Sequence, residues 1–249
     1  MLIYFLMLVI YILALVYIKS IHHPKFPRTL VLTTKDKTSV PPYVMERFVK
    51  YSAGYRIHLF DDTECIEFLL QNYGEVYAKK FKSLTMGPHK ADLFRYAYLY
   101  ENGGLYMDIK TAPTRPLRQV FPDPTLCYLV QTTDTQLYNG IIQTPPKNPY
   151  IHRLLHNMLN YESNQKTYLR HCISAMKILK EFTLSGAVRV GHNPTRSLTP
   201  NVHLYKEAFL DKTHCSGKKD RYGYCVFMVD NRGRKWLMIR DPHYKANYN

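Results

Sequence analysis

The sequence predicts an α/β protein on a mainly parallel sheet, and three observations carry that prediction. Short apolar or β-branched runs alternate with segments of helical period, each is bounded by Gly, Pro, Asn or Asp, and 249 residues are ample for one sizeable core. No internal repeat or low-complexity stretch breaks the alternation.

Met1 to Ile18 carries no charged side chain. Eighteen residues lie near the lower limit of roughly 17 to 25 for a bilayer-crossing helix. No small-residue cleavage site follows, only Lys19-Ser20-Ile21-His22-His23. The expected organisation is an uncleaved anchor over 1–18, a stem over 19–28 and one folded domain over 29–249. Lys19, Lys25 and Arg28 follow the apolar stretch and no Lys or Arg precedes it, which places the domain on the cytosolic side by the positive-inside tendency. The one Asn-x-Thr, at Asn193, has Pro194 in the middle and is no glycosylation acceptor, which fits that side.

Thr29 to Thr34 reads as the first strand. Pro41-Pro42 opens a helix through about Val49, and Tyr55 to Phe60 alternates into a second strand. Asp61-Asp62-Thr63 caps a helix from Glu64 to Gln71; capping explains both aspartates, with nucleotide contact as the other reading. Tyr77 to Leu84 is a further helix. Pro88 suits a first helical turn and Asn102-Gly103-Gly104 closes one, so a helix runs from Pro88 to about Glu101.

Asp92 and Arg95 share one stripe of that otherwise mostly apolar helix. Charges there lose hydration, so they form either a buried structural ion pair or a polar ligand site. Leu105-Tyr106-Met107 then makes a short strand that delivers Asp108 to its carboxyl end, where ligands of α/β sheets gather. Strand alternation turns Asp108 and Lys110 the same way.

A proline-rich connector over 112–116 leads to a strand from Leu126 to Gln131. Asn139-Gly140 reads as a turn, or as a polar residue leading into a strand and touching a ligand. Asn148 caps a helix from Tyr150 to Asn160. A longer helix, Lys166 to Phe182, shows core periodicity at Leu169, Cys172, Ile173, Met176 and Leu179. Ser185 to Val188 is a turn before a small helix over Asn193 to Leu198. Tyr224 to Val229 and Lys235 to Arg240 form a hairpin about Asp230-Asn231-Arg232-Gly233.

Lys and Arg number 34 against 19 Asp and Glu, a net +15 that favours anionic partners. The basic residues are dispersed, without aromatic interleaving or a nucleic-acid module, so the expected partners are a membrane surface and an anionic small molecule, and no nucleic acid. Cys65, Cys127 and Cys172 sit in apolar surroundings as buried thiols, Cys215 and Cys225 are candidates for a bridge if the domain is luminal, and no spacing suits zinc.

The run Ala91-Asp92-x-x-Arg95-Tyr96-x-x-Leu99-Tyr100-x-x-Gly103-Gly104-x-Tyr106-x-Asp108 resembles the signature of DXD-motif sugar transferases, the family of the yeast-type initiating α-1,6-mannosyltransferases and inositol phosphoceramide mannosyltransferases. Weaker similarity covers most of the chain after the first strand. The resemblance implies a single GT-A-like domain that moves a hexose, mannose or similar, from a nucleotide diphosphate sugar to a glycan or glycolipid hydroxyl, with retention. It assigns Asp92 and Arg95 to the donor sugar, and Asp108 to the donor and to a divalent Mn²⁺ or Mg²⁺. Tyr106, Thr33 and Asn139 become donor-binding candidates, and Thr34 with Lys35 stands where the family carries a Trp. His243, in a segment that folds back over the donor in such enzymes, is a candidate metal ligand or diphosphate contact, a solvent-exposed tail histidine being the other reading. Family members in eukaryotes face the Golgi lumen, which leaves the side of the membrane open.

One position departs from the family. Lys110 stands at the second carboxylate, and an ammonium coordinates no metal. Lys110 therefore either places a fixed charge at the diphosphate in partial replacement of the metal, or faces solvent and pairs with Asp108. A relative that binds sugar or nucleotide without catalysis, acting as a partner or scaffold, is the alternative function.

Overall fold

The computed structural model describes Met7, Tyr11 and residues 28–161, 169–185, 189–191, 201–210, 225–230 and 232–239. Among these, no helix is long and apolar enough to cross a membrane. The expected anchor, apart from Met7 and Tyr11, lies outside the described residues, as do the turn 186–188, the small helix 193–198, Cys215 and His243.

The chain begins β1 (Thr29–Thr33), α1 (Pro42–Tyr51), β2 (Arg56–Phe60), α2 (Asp62–Tyr73), α3 (Glu75–Ser83), α4 (Gly87–Asn102) and β3 (Gly104–Met107). It continues through β4 (Ala112–Pro113), α5 (Leu117–Val120), β5 (Cys127–Thr133), β6 (Gln136–Thr144), α6 (Pro149–Leu159) and α7 (Arg170–Leu184). β7 (Arg189–Gly191), β8 (Asn201–Leu210), β9 (Cys225–Val229) and β10 (Lys235–Met238) complete the described elements. Local signals place several boundaries. Asp61 accepts from the Glu64 amide and Glu64 reaches back to the Asp61 amide, a full capping box. Asn148 likewise accepts from the Tyr150 amide. Gly103 and Gly104 both take positive φ, 65° and 109°, at the join of α4 to β3. A Cβ on Gly103 would meet Pro146 N at 2.6 Å, so the turn needs glycine for space as well as for conformation.

The sheet is α/β but mixed, which corrects the mainly parallel expectation. Its order is β2-β1-β3-β6-β5-β8-β9-β10-β4, with β7 beside β8. β1 runs parallel to β2 and β3, and β5 and β7 run parallel to β8. β6 is antiparallel to β3 and β5, and β9 is antiparallel to β8 and β10. Only a long crossover returns a chain parallel, and the two residues between β5 and β6 leave room for a hairpin alone. The hairpin inserts β6 beside β3 and so brings new residues to the strand that ends at Asp108.

Two apolar clusters fill the two faces. Val31 and Tyr106 pack with α2, α3, α4, α6 and α7, while Leu30, Leu32, Leu105 and Met107 pack with α1, α5 and the β9–β10 hairpin. In α7 the buried face is His171, Ala175, Met176, Ile178 and Leu179, whereas Leu169 and Ile173 are 47% and 46% exposed. The expected stripe is thus rotated. Two overlapping apolar stripes exist in this helix, and a buried histidine completes the one that packs.

Candidate active site

α4 is buried along nearly its whole length, and it carries Asp92 and Arg95 toward the carboxyl end of β3. The strand stops at Met107. Asp108 continues the ladder by donating its amide to Gly140 O at 2.7 Å, and the Thr111 amide then closes a turn on Asp108 O at 2.8 Å. Lys110 therefore meets Asp108 across a turn and not by strand alternation, a correction to the sequence reading. The meeting itself is real: Lys110 Nζ lies 3.3 Å from Asp108 Oδ2.

Asp108 is held by four donors. Arg95 Nη2 lies 3.3 Å from Oδ1 and the Tyr106 hydroxyl donates to the same oxygen at 3.2 Å. Tyr138 donates to Oδ2 at 3.1 Å, beside Lys110. Thr33 is joined to the set through its hydroxyl, 2.8 Å from that of Tyr106. Arg95 is the hub: its guanidinium stacks over the Tyr106 ring at 4.3 Å, its Nε lies 3.5 Å from Asp92, and its Nη1 donates to the Asn139 carbonyl.

The two carboxylates are tuned apart. Burial pushes Asp92 up to about 6, and Arg95 and the Asn139 side chain offset this only in part. Burial raises Asp108 as well, but Lys110 and Arg95 outweigh it and hold that group down at about 2. Asp108 thus stays an anion over the whole neutral range while Asp92 titrates close to it. Burial disfavours the Arg95 charge, yet the carboxylates Asp92 and Asp108 beside it keep it cationic.

Of the residues expected from sequence, Asp92, Arg95, Tyr106, Asp108, Lys110, Thr33 and Asn139 come together in this one network. Asn139 lies inside β6 and is 5% exposed, so the turn reading of Asn139-Gly140 is corrected. Its amide donates to Cys172 Sγ at 3.8 Å, and burial pushes that thiol up to about 12. Asp61 serves in the helix cap, while Asp62 pairs with Lys90 at 2.6 Å. Sequence reasoning missed Tyr138 and the role of Gly140. A Cβ on Gly140 would lie 2.3 Å from the Tyr138 hydroxyl and 2.5 Å from Asp108 Oδ2. The missing side chain is what lets the phenol reach the carboxylate. A Tyr-x-Gly step in a strand was the available signal, and it acquires meaning only once β6 lies next to β3.

Beside the network opens a cleft of about 110 Å³ lined by Thr33, Thr34, Lys35, Asp62 and Lys90, and it reaches Gly87 at the start of α4. Lysines and a helix amino end suit an anionic ligand there.

Mn²⁺ or Mg²⁺ would need several hard oxygen ligands. The second position of the motif holds an ammonium, both oxygens of Asp108 already accept from cations and phenols, and Arg95 stands between Asp108 and Asp92. Among the described residues no three of His, Cys, Asp and Glu gather as a metal site. These residues do not fit a divalent cation.

Residues 38–127 match the family model for the glycosyltransferase sugar-binding region containing a DXD motif. That span resembles a DXD-motif sugar-binding region. It takes in Asp92, Arg95, Tyr106, Asp108 and Lys110, while Thr33, Tyr138 and Asn139 come from strands on either side of it. Curated relatives include inositol phosphoceramide mannosyltransferase 1 of Schizosaccharomyces pombe, 25% identical over 147 residues, covering 58% of this chain and 45% of the relative. The initiation-specific α-1,6-mannosyltransferase of Candida albicans is 31% identical over 104 residues, covering 37% of this chain and 26% of the relative. The chain thus spans less than half the length of these relatives. A solved structure titled PaToxG glycosyltransferase aligns with a TM-score of 0.43 and 14% identity, over 65% of this chain and 76% of that one.

Proposed function

We propose that this protein is a membrane-anchored glycosyltransferase with a GT-A-like domain, moving a hexose, mannose or similar, from a nucleotide diphosphate sugar to a glycan or glycolipid hydroxyl with retention. The observation that carries the reading is the single buried network joining Asp92, Arg95 and Asp108 of the sugar-binding region to Lys110 at the rim of the sheet.

In this reading Asp92 and Arg95 hold the donor sugar hydroxyls. Thr33, Tyr106 and Asn139 keep those two side chains and Asp108 in place. The chemical burden is the charge that develops on the departing diphosphate. Lys110, 22% exposed, swings from Asp108 to the phosphates and supplies a fixed positive charge where the family pattern has its second carboxylate. The bond from the anomeric carbon to the phosphate oxygen breaks, the acceptor oxygen bonds to that carbon on the same face, and its proton passes to the leaving phosphate. The protein needs no separate base for that route; its task is alignment and charge stabilisation.

The test is a panel of nucleotide sugars with Mn²⁺, with Mg²⁺ and with chelator, scoring nucleotide diphosphate release by wild type, Asp108→Asn and Lys110→Ala. Release should survive chelation, vanish in Asp108→Asn, and fall on the order of 10² in Lys110→Ala, the scale of losing one preorganised charge-stabilising group. Release only with metal and indifferent to Lys110 would defeat the lysine reading. The saturated Asp108 also suits a sugar- or nucleotide-binding relative without catalysis; folded protein that binds donors yet releases nothing with any acceptor would favour it.

A further inference from the structure

The edge of the sheet opposite Asp108 carries a second feature. Arg28 precedes β1 and Arg56 opens β2; the two are joined by the Arg56 amide donating to Arg28 O at 2.8 Å. Lys50 lies in the last turn of α1, which ends at this same edge. Arg118 of α5 packs over Gly54, where an added Cβ would meet its Nη2 at 2.0 Å. Arg28 is fixed in place by donating to Phe121 O and Pro122 O at 3.2 and 2.8 Å. Lys50, Arg56 and Arg118 are exposed. None of the four forms an ion pair among the described residues. The carboxylate beside them, Asp123, is occupied by the Thr125 amide and hydroxyl at 2.9 and 2.6 Å.

We infer that this basic edge is a docking face for anionic membrane lipid headgroups. Two things select that occupant. The four cations outnumber the one carboxylate beside them, Asp123, and none of the four pairs with a carboxylate among the described residues. The chain also enters the domain here: Arg28 follows a stem with Lys19 and Lys25, itself preceded by the uncharged run 1–18. Ten residues from Ile18 to Arg28 reach at most about 35 Å when extended, so a chain inserted through residues 1–18 keeps this edge close to the headgroups. Docking through this edge turns the carboxyl ends of the strands away from the bilayer. A strand of five residues spans about 17 Å, so Asp108 stands at least that far from the headgroup plane and the acceptor hydroxyl must be presented at that height.

The inference rests on the membrane reading of residues 1–18 and is independent of the transfer chemistry. The experiment mixes the full chain with phosphatidylcholine vesicles or with vesicles that also contain phosphatidylserine, and follows flotation and amide hydrogen exchange of residues 50–57. Flotation on neutral vesicles reports the apolar segment alone. Exchange at 50–57 should slow on anionic vesicles and not on neutral ones, and the slowing should disappear at high salt. In Arg118→Glu the slowing should weaken about fivefold or more, since each basic group at an anionic surface is worth about that factor. Equal exchange on both vesicle types, or slowing that persists in Arg56→Glu/Arg118→Glu, would overturn the inference. Equal slowing by a polynucleotide without lipid would assign the edge to nucleic acid and overturn it too.

Discussion

Asp92→Asn should make the protein less active and, at neutral pH, relatively more stable. The Asp92 carboxyl is 7% exposed, and burial raises it from its ordinary value of 3.8 to about 6 on folding. The folded state therefore binds this proton more tightly than the unfolded chain does. The stabilising contribution is complete below pH 4 and is lost as pH rises through 6. A rise of about two units corresponds to about 3 kcal/mol. Asparagine keeps the shape and loses the charge, so the variant lacks this pH dependence. Urea unfolding of both proteins at several values between pH 4 and pH 7.5 measures it. The difference in unfolding free energy, wild type minus variant, should fall by about 2 to 3 kcal/mol across that range, on the scale that a buried charge sets. His171, depressed to about 3 by burial and by His89 and Arg95, titrates in part of the same window with the opposite sign, but it is common to both proteins and cancels in the difference. A difference that stays constant from pH 4 to 7.5 would refute the claim that Asp92 is a buried acid only partly compensated by its partners.

Gly140→Ala should abolish transfer while costing about 1 to 3 kcal/mol of stability, the range for overpacking, because its Cβ strikes both Tyr138 and Asp108; product formation compared with urea unfolding separates the two effects, and normal turnover would contradict the role given to Tyr138. Asp61→Ala removes a capping box whose bonds run only between Asp61 and Glu64, and should cost about 1 kcal/mol, read as a melting temperature lowered by about 2 to 4 °C, with turnover per folded molecule unchanged. A change in turnover there would place Asp61 at the ligand.

Much of the site was legible because it is coded locally. Asp92 and Arg95 are three residues apart on one helix, Asp108 follows a glycine break and a three-residue apolar run, and the caps at Asp61 and Asn148 are set by side chains bonding amides two or three residues away. The partners of Asp108 were not legible in the same way. Tyr138 is thirty residues from Asp108, and Thr33 is seventy-three from Tyr106. Which strands lie beside β3 decides whether these residues meet, and that depends on pairing over the whole sheet.

The sequence by itself determined the α/β alternation, the span of α4, the glycine turn into β3, the second carboxylate position occupied by Lys110, and an excess of positive charge. Each follows from backbone propensity, capping or residue identity, whose physics acts within a few residues. The tertiary structure decided that the sheet is mixed, that Lys110 returns to Asp108 through a turn, that Asp108 is saturated by Arg95, Tyr106, Tyr138 and Lys110, and that Arg28, Lys50, Arg56 and Arg118 share one edge. Those outcomes depend on desolvation and on contacts between distant segments, and burial is a property of the packed chain that no local stretch carries.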